Sequence, residues 1–303
     1  MDNTYTNYLK KQGYARRTIA AYEQSKNRYQ QWSAEQQLNP EQASYNDLLD
    51  YLAHLRRHHV RTTTMQTYLA AITHYYDSLT TAGIIDQNPA RYIELKTRDQ
   101  RKLYPTMSKD QLENLYTSFD VKALRKTKTT SRQSAIRNKI ATGLMVYQGL
   151  DVNTLSSLKT ENIDVLGGTI QVPGSRKHNP RTLALQARQI IELDRYINQT
   201  RAELQHQFRQ EESDQLLITG YTHYYDAHRR LMQRLKKQEP QLQSAQHIRS
   251  SVIVHWLRQH NLREVQYMAG HKNIQSTEAY QQDDTESLQL DIDRFHPMNE
   301  TED

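Results

Sequence analysis

The chain has 303 residues and no cysteine, so disulfides, thiolate metal sites and a cysteine nucleophile are excluded. Its length suits two domains, each large enough for its own core. Residues 283–303 hold eight acidic residues against one arginine, and this −7 within a total of +6 leaves +13 on residues 1–282. Such a basic body is typical of proteins that bind a polyanion, although a well-solvated basic protein shows the same balance.

We expect a soluble, cytoplasmic protein without a membrane partner. No apolar run approaches the length of a membrane span, and the N-terminus lacks the apolar core of a signal peptide. Glycine (9) and proline (7), the poorest helix formers, are scarce, which favours helices over sheets. The predicted fold is therefore mainly α, with one small β-hairpin.

The first 95 residues predict four helices. A short helix breaks at Gly13, and amphipathic patterns follow over residues 18–32, 45–58 and 62–82, with Ser44 as an N-cap. Basic and hydroxyl side chains lie at the ends of these helices, where they suit phosphate contacts as well as ordinary solvation. The candidates are Arg16, Arg17, Arg56, Arg57, Arg61 and Thr62.

Residues 96–106 lack periodicity and predict a linker between two domains. Residues 121–134 are rich in basic and hydroxyl side chains, and they predict a loop that leads into a helix over residues 135–148. Arg132 and Arg137 are the candidates in this stretch for contact with a nucleic-acid backbone.

A β-hairpin is predicted from residues 169–172 and 181–185. Its polar tip, residues 174–179, carries Arg176 and Lys177. Residues 186–245 add further helical patterns, which we interpret as scaffold.

Residues 246–280 predict three short helices separated by tight connections. Gly270 ends the second helix as a left-handed cap would, and Ser276 suits the N-cap of the third. Polar side chains cluster at these helix ends, where several can converge on one phosphate. They are Arg249, His271, Tyr280 and either Gln246 or His247.

This spacing resembles the signature of the tyrosine recombinases, the family of phage integrases and chromosome-dimer-resolving enzymes. That signature is H-x-x-R, an apolar helix, L-G-H and a tyrosine nine places later. Here Q-H-I-R ends at Arg249, A-G-H ends at His271, and Tyr280 follows nine residues on. The resemblance implies a helical core-binding (SAM-like) domain over residues 1–95, a linker over 96–106, a catalytic domain over 107–285 and an acidic tail over 286–303.

The resemblance also implies roles for single residues. Tyr280 would attack a DNA phosphate and form a 3′-phosphotyrosyl bond. Arg249 would hold the non-bridging oxygens, Lys177 would protonate the leaving 5′-oxygen, and His271 would donate to the phosphate or accept a proton. Gln246 stands at the usual histidine position and can donate a hydrogen bond, but it cannot titrate. No metal or cofactor is implied. The implied partners are double-stranded DNA and further copies of the chain, in a homo-tetramer assembled on DNA through the tail.

One position departs from the family pattern. Gly149 and Leu150 match its T-G-L-R motif, but Asp151 stands where the first catalytic arginine belongs, and Thr154 replaces a glutamate. Loss of one oxyanion donor costs about 2.7–4 kcal/mol, or roughly a hundred- to a thousandfold in rate. The residues that could supply a replacement cation are Arg176, our first choice, and Arg137 or Arg132.

Two functions are left open by this departure. We favour an active site-specific recombinase, and the alternative is a DNA-binding relative that has lost strand cleavage and acts as a structural or regulatory protein. A helical-repeat interaction protein is excluded, because the sequence has no internal period.

Overall fold

The computed structural model describes residues 2–96, 105–119, 129–220 and 223–281. The chain divides into two compact units, residues 1–101 and 102–303. Most of the predicted linker, the first part of the predicted basic loop and the acidic tail lie outside the described residues. Among the described residues, no helix is long and apolar enough to cross a membrane.

Four α-helices form the first unit, as the periodicity predicts. They are α1 (Asp2–Lys11), α2 (Arg16–Glu35), α3 (Tyr45–Arg57) and α4 (Thr62–Thr81), with a 3-10 turn at Pro40–Gln42. Ser44 caps α3 in a reciprocal box with Asp47. The core is rich in tyrosine, and the buried hydroxyls of Tyr29 and Tyr76 meet at 2.6 Å, so these two phenols are polar partners of each other.

The second unit is helical around one small sheet. Its helices are α5 (Lys109–Thr117), α6 (Thr129–Gln148), α7 (Val152–Ser157), α8 (Ala187–Arg195), α9 (Arg201–Phe208), α10 (Tyr224–Gln238), α11 (Ala245–Leu257), α12 (Leu262–Ala269) and α13 (Gln275–Gln281). The strands β1 (Ile163–Asp164), β2 (Thr169–Val172) and β3 (Arg181–Ala184) form an antiparallel sheet in that order. The predicted hairpin is β2 and β3, and the mainly α fold is confirmed.

α6 begins at Thr129, six residues before the predicted start. The threonines and serine of its first turns are mediocre helix formers, so the sequence alone favours a loop there. Tertiary contacts reverse that preference, because Gln133 is buried and its amide donates to the carboxylate of Glu203 on α9. Arg137 is also buried, and its guanidinium donates to the Ile218 carbonyl at 2.9 Å. Both predicted contact arginines of this stretch, Arg132 and Arg137, therefore lie within a packed helix.

α11 lies between two apolar cores. Ile248 and Val252 pack into the main core of the unit, whereas Ile253 and Val254 pack into a smaller core that includes Tyr280. The sequence predicts one apolar stripe on this helix, but buried positions occur on more than one of its faces. Packing on both sides fixes α11 in place, and with it the polar residues near its N-terminus.

Candidate active site

Arg249 is the central group of the candidate site. It lies on α11, is 3% exposed, and donates through Nη1 to the Gly149 carbonyl and through Nη2 to the Ala269 carbonyl, the latter at 2.7 Å. Gly149 has a φ of 58°, a left-handed conformation that favours glycine. Two backbone carbonyls from different parts of the unit therefore hold the guanidinium, which reduces the reorganisation needed to bind an anion.

The turn after α12 supplies the second group. Gly270 caps α12 with a φ of 72°, and His271 follows directly. His271 Nδ1 lies 2.9 Å from Thr277 Oγ1, and its Nε2 lies 3.5 Å from Arg249 Nη2. Because a guanidinium can only donate, Nε2 is the acceptor and the ring proton sits on Nδ1.

His271 is a neutral imidazole near pH 7. Its pKa falls to about 4, because the ring is buried and because Arg249, His178 and Arg181 add positive charge around it. The same surroundings that keep this ring neutral favour an anion beside it. Within the described residues, no group of His, Asp and Glu side chains could hold a metal ion.

Tyr280, on α13, completes the cluster. Its side chain is 9% exposed, and its ring stacks on His271 with centroids 5.7 Å apart and planes 6° apart. Gln246 Nε2 donates to its hydroxyl at 3.0 Å. Burial lowers the pKa of Arg249, and a hydrogen bond with Tyr280 acts in the opposite direction. Arg249, His271, Tyr280 and Gln246, one of the two alternatives beside Arg249, thus lie together.

His247, the other candidate beside Arg249, does not belong to this cluster. It is buried, and its Nε2 lies 2.7 Å from the Pro105 carbonyl. It therefore fastens the segment that precedes α5, while its neighbour Gln246 reaches Tyr280.

The hairpin tip docks on the turn after α12. The Asn179 amide donates to the Gly270 carbonyl at 2.8 Å, and His178 forms an isolated antiparallel bridge with His271. This contact brings the end of the hairpin to the site. Lys177 is exposed, and its charge lowers the pKa of His178 in addition to the larger effects of burial and of Arg249.

Asp151 is the N-cap of α7. Its Oδ1 accepts from the Thr154 amide at 2.9 Å, and its Oδ2 lies 3.5 Å from His178 Nδ1. Burial raises the pKa of this carboxyl, but the Thr154 amide and the charges of His178 and Arg249 outweigh burial, so the pKa lies below its ordinary value. The aspartate is therefore ionised, with each of its oxygens close to a partner.

The three predicted replacement arginines differ in their surroundings. Arg176 is exposed at the hairpin tip and Arg132 is exposed on α6, whereas Arg137 is buried against the Ile218 carbonyl. Among the described residues, the arginines whose charges act on His271 are Arg249 and Arg181.

The predicted DNA-contact residues of the first unit are all exposed, at helix ends. Arg16 and Arg17 begin α2, Arg56 and Arg57 end α3, and Arg61 and Thr62 stand at the start of α4.

Sequence reasoning missed two members of the site, Arg181 and His178. The sequence predicts only a strand position for Arg181 and a polar hairpin tip for His178. One signal is available in the sequence: Arg181 precedes Leu183 and Leu185 by two and four positions, so the alternation of a strand places it on their inward face. A buried arginine at such a position indicates a role that packing alone does not supply.

Two family models match the chain. The model of the phage integrase family matches residues 106–287. The model of the phage integrase N-terminal SAM-like domain matches residues 3–83. The candidate site lies wholly within the first of these matches.

Similar proteins span most of the chain. Tyrosine recombinase XerC of Pelobacter propionicus is 25% identical over 293 residues, covering 94% of this chain and 90% of that protein. The Tn1549 transposon integrase in complex with circular intermediate DNA has a TM-score of 0.64 at 14% identity, covering 92% of this chain and 94% of that one. A lambda integrase tetramer bound to a Holliday junction has a TM-score of 0.62 at 13% identity, covering 92% and 75%. The two structural likenesses show a shared fold.

Proposed function

Because the chain belongs to the phage integrase family, we propose that it is a site-specific DNA recombinase that breaks and rejoins DNA through a 3′-phosphotyrosyl intermediate on Tyr280. The observation that carries this proposal is the setting of the Tyr280 hydroxyl. It accepts from Gln246, and its ring lies against His271 beside the buried Arg249. A tyrosine with only a packing role does not need an amide on its hydroxyl, an imidazole stacked on its ring and a buried guanidinium beside that imidazole.

The reaction follows from these groups. Tyr280 Oη attacks the phosphorus, the P–O5′ bond breaks, and the phosphotyrosyl bond conserves the energy needed for rejoining. Arg249 donates to the non-bridging oxygens as negative charge develops on them. His271 is neutral in the free protein, so its Nε2 enters the reaction as the acceptor for the proton that the Tyr280 hydroxyl loses. Lys177, exposed on the hairpin tip, protonates the leaving 5′-oxygen.

Gln246 stands at the position where the family signature has a histidine. An amide at this position keeps the hydrogen bond to the Tyr280 hydroxyl at 3.0 Å but cannot exchange a proton. Gln246 therefore positions the nucleophile, and His271 remains the titratable group of the cluster.

The partners of this enzyme are double-stranded DNA and other copies of the chain. The exposed basic residues at the ends of α2, α3 and α4 suit backbone contacts, which supply affinity without reading sequence. The related lambda integrase forms a tetramer on a Holliday junction. We assign the corresponding assembly in this protein to the acidic tail, residues 286–303, which carries apolar residues such as Leu288 and Phe295 among its acids.

The experiment that tests this function traps the covalent intermediate. The protein is incubated with a pool of duplexes that have a randomised core and a nick, so that cleavage releases a short 5′-hydroxyl strand and leaves the adduct. Denaturing electrophoresis then separates protein joined to DNA, whose sequence identifies the site. Tyr280→Phe is expected to abolish the band while nearly all DNA affinity remains, because one hydroxyl is lost from a surface of phosphate contacts.

Tyr267 supplies the matched control. It lies on α12 close to the site, is 54% exposed, and its hydroxyl accepts from the Thr182 amide at 3.0 Å. Tyr267→Phe is expected to keep the covalent band. Loss of the band in this variant, with retention in Tyr280→Phe, would move the nucleophile to Tyr267. A wild-type protein that binds duplexes of the pool without forming any adduct would favour the structural or regulatory alternative.

A further inference from the structure

Arg181 is a buried arginine without an ion-pair partner among the described residues. It begins β3 and is 4% exposed. Its Nε donates to the Met268 carbonyl at 2.8 Å, and its Nη1 donates to the Asn179 carbonyl at 3.4 Å. In the described part of the chain its Nη2 makes no hydrogen bond. A guanidinium buried in this way is costly, because carbonyls alone do not neutralise it.

The C-terminus of α12 holds two guanidinium groups through consecutive carbonyls. Met268 accepts from Arg181, and Ala269 accepts from Arg249. The last carbonyls of a helix have no partner within the helix and carry partial negative charge, so they are suited to hold cations. Gly270 makes room for this arrangement, since a Cβ there would overlap Arg181 Nη1 and lie 2.8 Å from its Cζ.

The two positive charges oppose each other. Burial and the charge of Arg249 lower the pKa of Arg181 to about 10, although Asp151 acts in the opposite direction. The charge of Arg181 also reaches His271 and contributes to its low pKa. An anion bound beside both guanidinium groups would relieve this repulsion.

We propose that Arg181 binds the scissile phosphate as the second guanidinium of the site, in the role that an arginine at position 151 would otherwise have. This inference rests on the proposed function and adds a residue to it. The negative charge of Asp151 is screened from the phosphate, because its Oδ1 caps α7 and its Oδ2 faces His178. Arg176 is not required in this arrangement, because Arg181 supplies the second guanidinium.

The test compares Arg181→Gln and Arg181→Lys with wild type on the DNA selected from the randomised pool. Arg181→Gln is expected to slow adduct formation by about a hundred- to a thousandfold, the effect of one lost oxyanion donor. Arg181→Lys keeps the charge but not the forked geometry, so its loss is expected to be smaller. An Arg181→Gln rate equal to wild type would overturn the proposal.

The control separates phosphate binding from loss of an arginine that is held by backbone carbonyls. Arg201 is also held by carbonyls, Gln215 at 2.9 Å and Ser213 at 2.6 Å, and it has no place in the site. Arg201→Gln is expected to reduce stability without changing the rate of adduct formation by folded protein. A similar rate loss in both variants would assign the effect to destabilisation and overturn the proposal.

A neutral substrate provides a readout that a structural role would not move. Replacing the scissile phosphate by a methylphosphonate removes the charge that Arg181 is proposed to bind. The gap between wild type and Arg181→Gln is therefore expected to close largely on this substrate, whereas an unchanged gap would show that Arg181 acts only by supporting the fold.

Binding of inorganic phosphate tests the role of Arg181 independently of DNA cleavage. If wild type forms no adduct, the recombinase function fails, and calorimetric titration with inorganic phosphate still tests Arg181. Arg181→Gln is expected to weaken phosphate binding by about ten- to a hundredfold, the contribution of a charge-assisted hydrogen bond. Equal binding of phosphate by both proteins would overturn the inference.

Discussion

Folding changes the ionisation of His271 strongly. Its pKa falls from an ordinary 6.5 to about 4 through burial and neighbouring positive charge. Below pH 6.5 the unfolded chain therefore takes up a proton that the folded protein does not, and stability is lost as the pH falls toward 4. Between pH 7.5 and pH 5 this single group is expected to cost about 2 kcal/mol of unfolding free energy.

Urea unfolding of His271→Gln at the two pH values checks this prediction. The chain has two tryptophans, so a Trp32→Phe background leaves Trp256 of α11 as the reporter of the second unit. His271→Gln is expected to lose about 2 kcal/mol less than its parent on acidification. His206→Gln, at an exposed position on α9, serves as the matched control and should follow the parent. Equal acid sensitivity in His271→Gln and the parent would contradict this account.

At the scale of single helices, the aspartate at position 151, where the family pattern has an arginine, has a local structural role. Asp151 accepts from the Thr154 amide and so satisfies one of the unpaired donors at the start of α7. Asp151→Ala is expected to lose about 1 kcal/mol of stability, whereas Asp151→Asn keeps the acceptor and should lose only a few tenths. The same urea measurement, followed through Trp256, distinguishes them. Equal stability of Asp151→Ala and wild type would show that the cap contributes nothing.

Much of the helical architecture is predictable from local sequence, because the periodicity and caps that mark a helix are local. The four helices of the first unit and the hairpin follow from such patterns. The start of α6 does not, because burial of Gln133 and Arg137 overrides the low helix propensity of its first turn. The burial of both faces of α11 also escapes prediction, since it depends on what packs around the helix.

For the whole molecule, the site is only partly predictable from spacing. Arg249, His271 and Tyr280 are close in sequence, so their spacing on three short helices is enough to predict that they meet. Arg181 and His178 reach the site only because the hairpin tip docks on the Gly270 turn, a contact between residues about 90 positions apart in the chain. Local sequence carries no signal for that docking.

Assembly is also a property of the whole molecule. If the acidic tail docks on a neighbouring copy, truncation after Gln282 should weaken tetramer formation on DNA while the monomer remains folded. Sedimentation of the truncated and full-length proteins with the selected DNA measures this difference. A disordered, solubilising tail predicts equal tetramer formation, and that outcome would contradict the assignment.

Tyr280 is the residue proposed to form the covalent bond to DNA. The trapped adduct is digested with nuclease and protease, and tandem mass spectrometry locates the residue that carries the nucleotide. We expect a 3′-phosphate linked to Tyr280 Oη in the peptide that contains α13. A nucleotide on Tyr267, on another residue, or on no residue of a protein that binds duplexes of the pool would contradict the role of Tyr280.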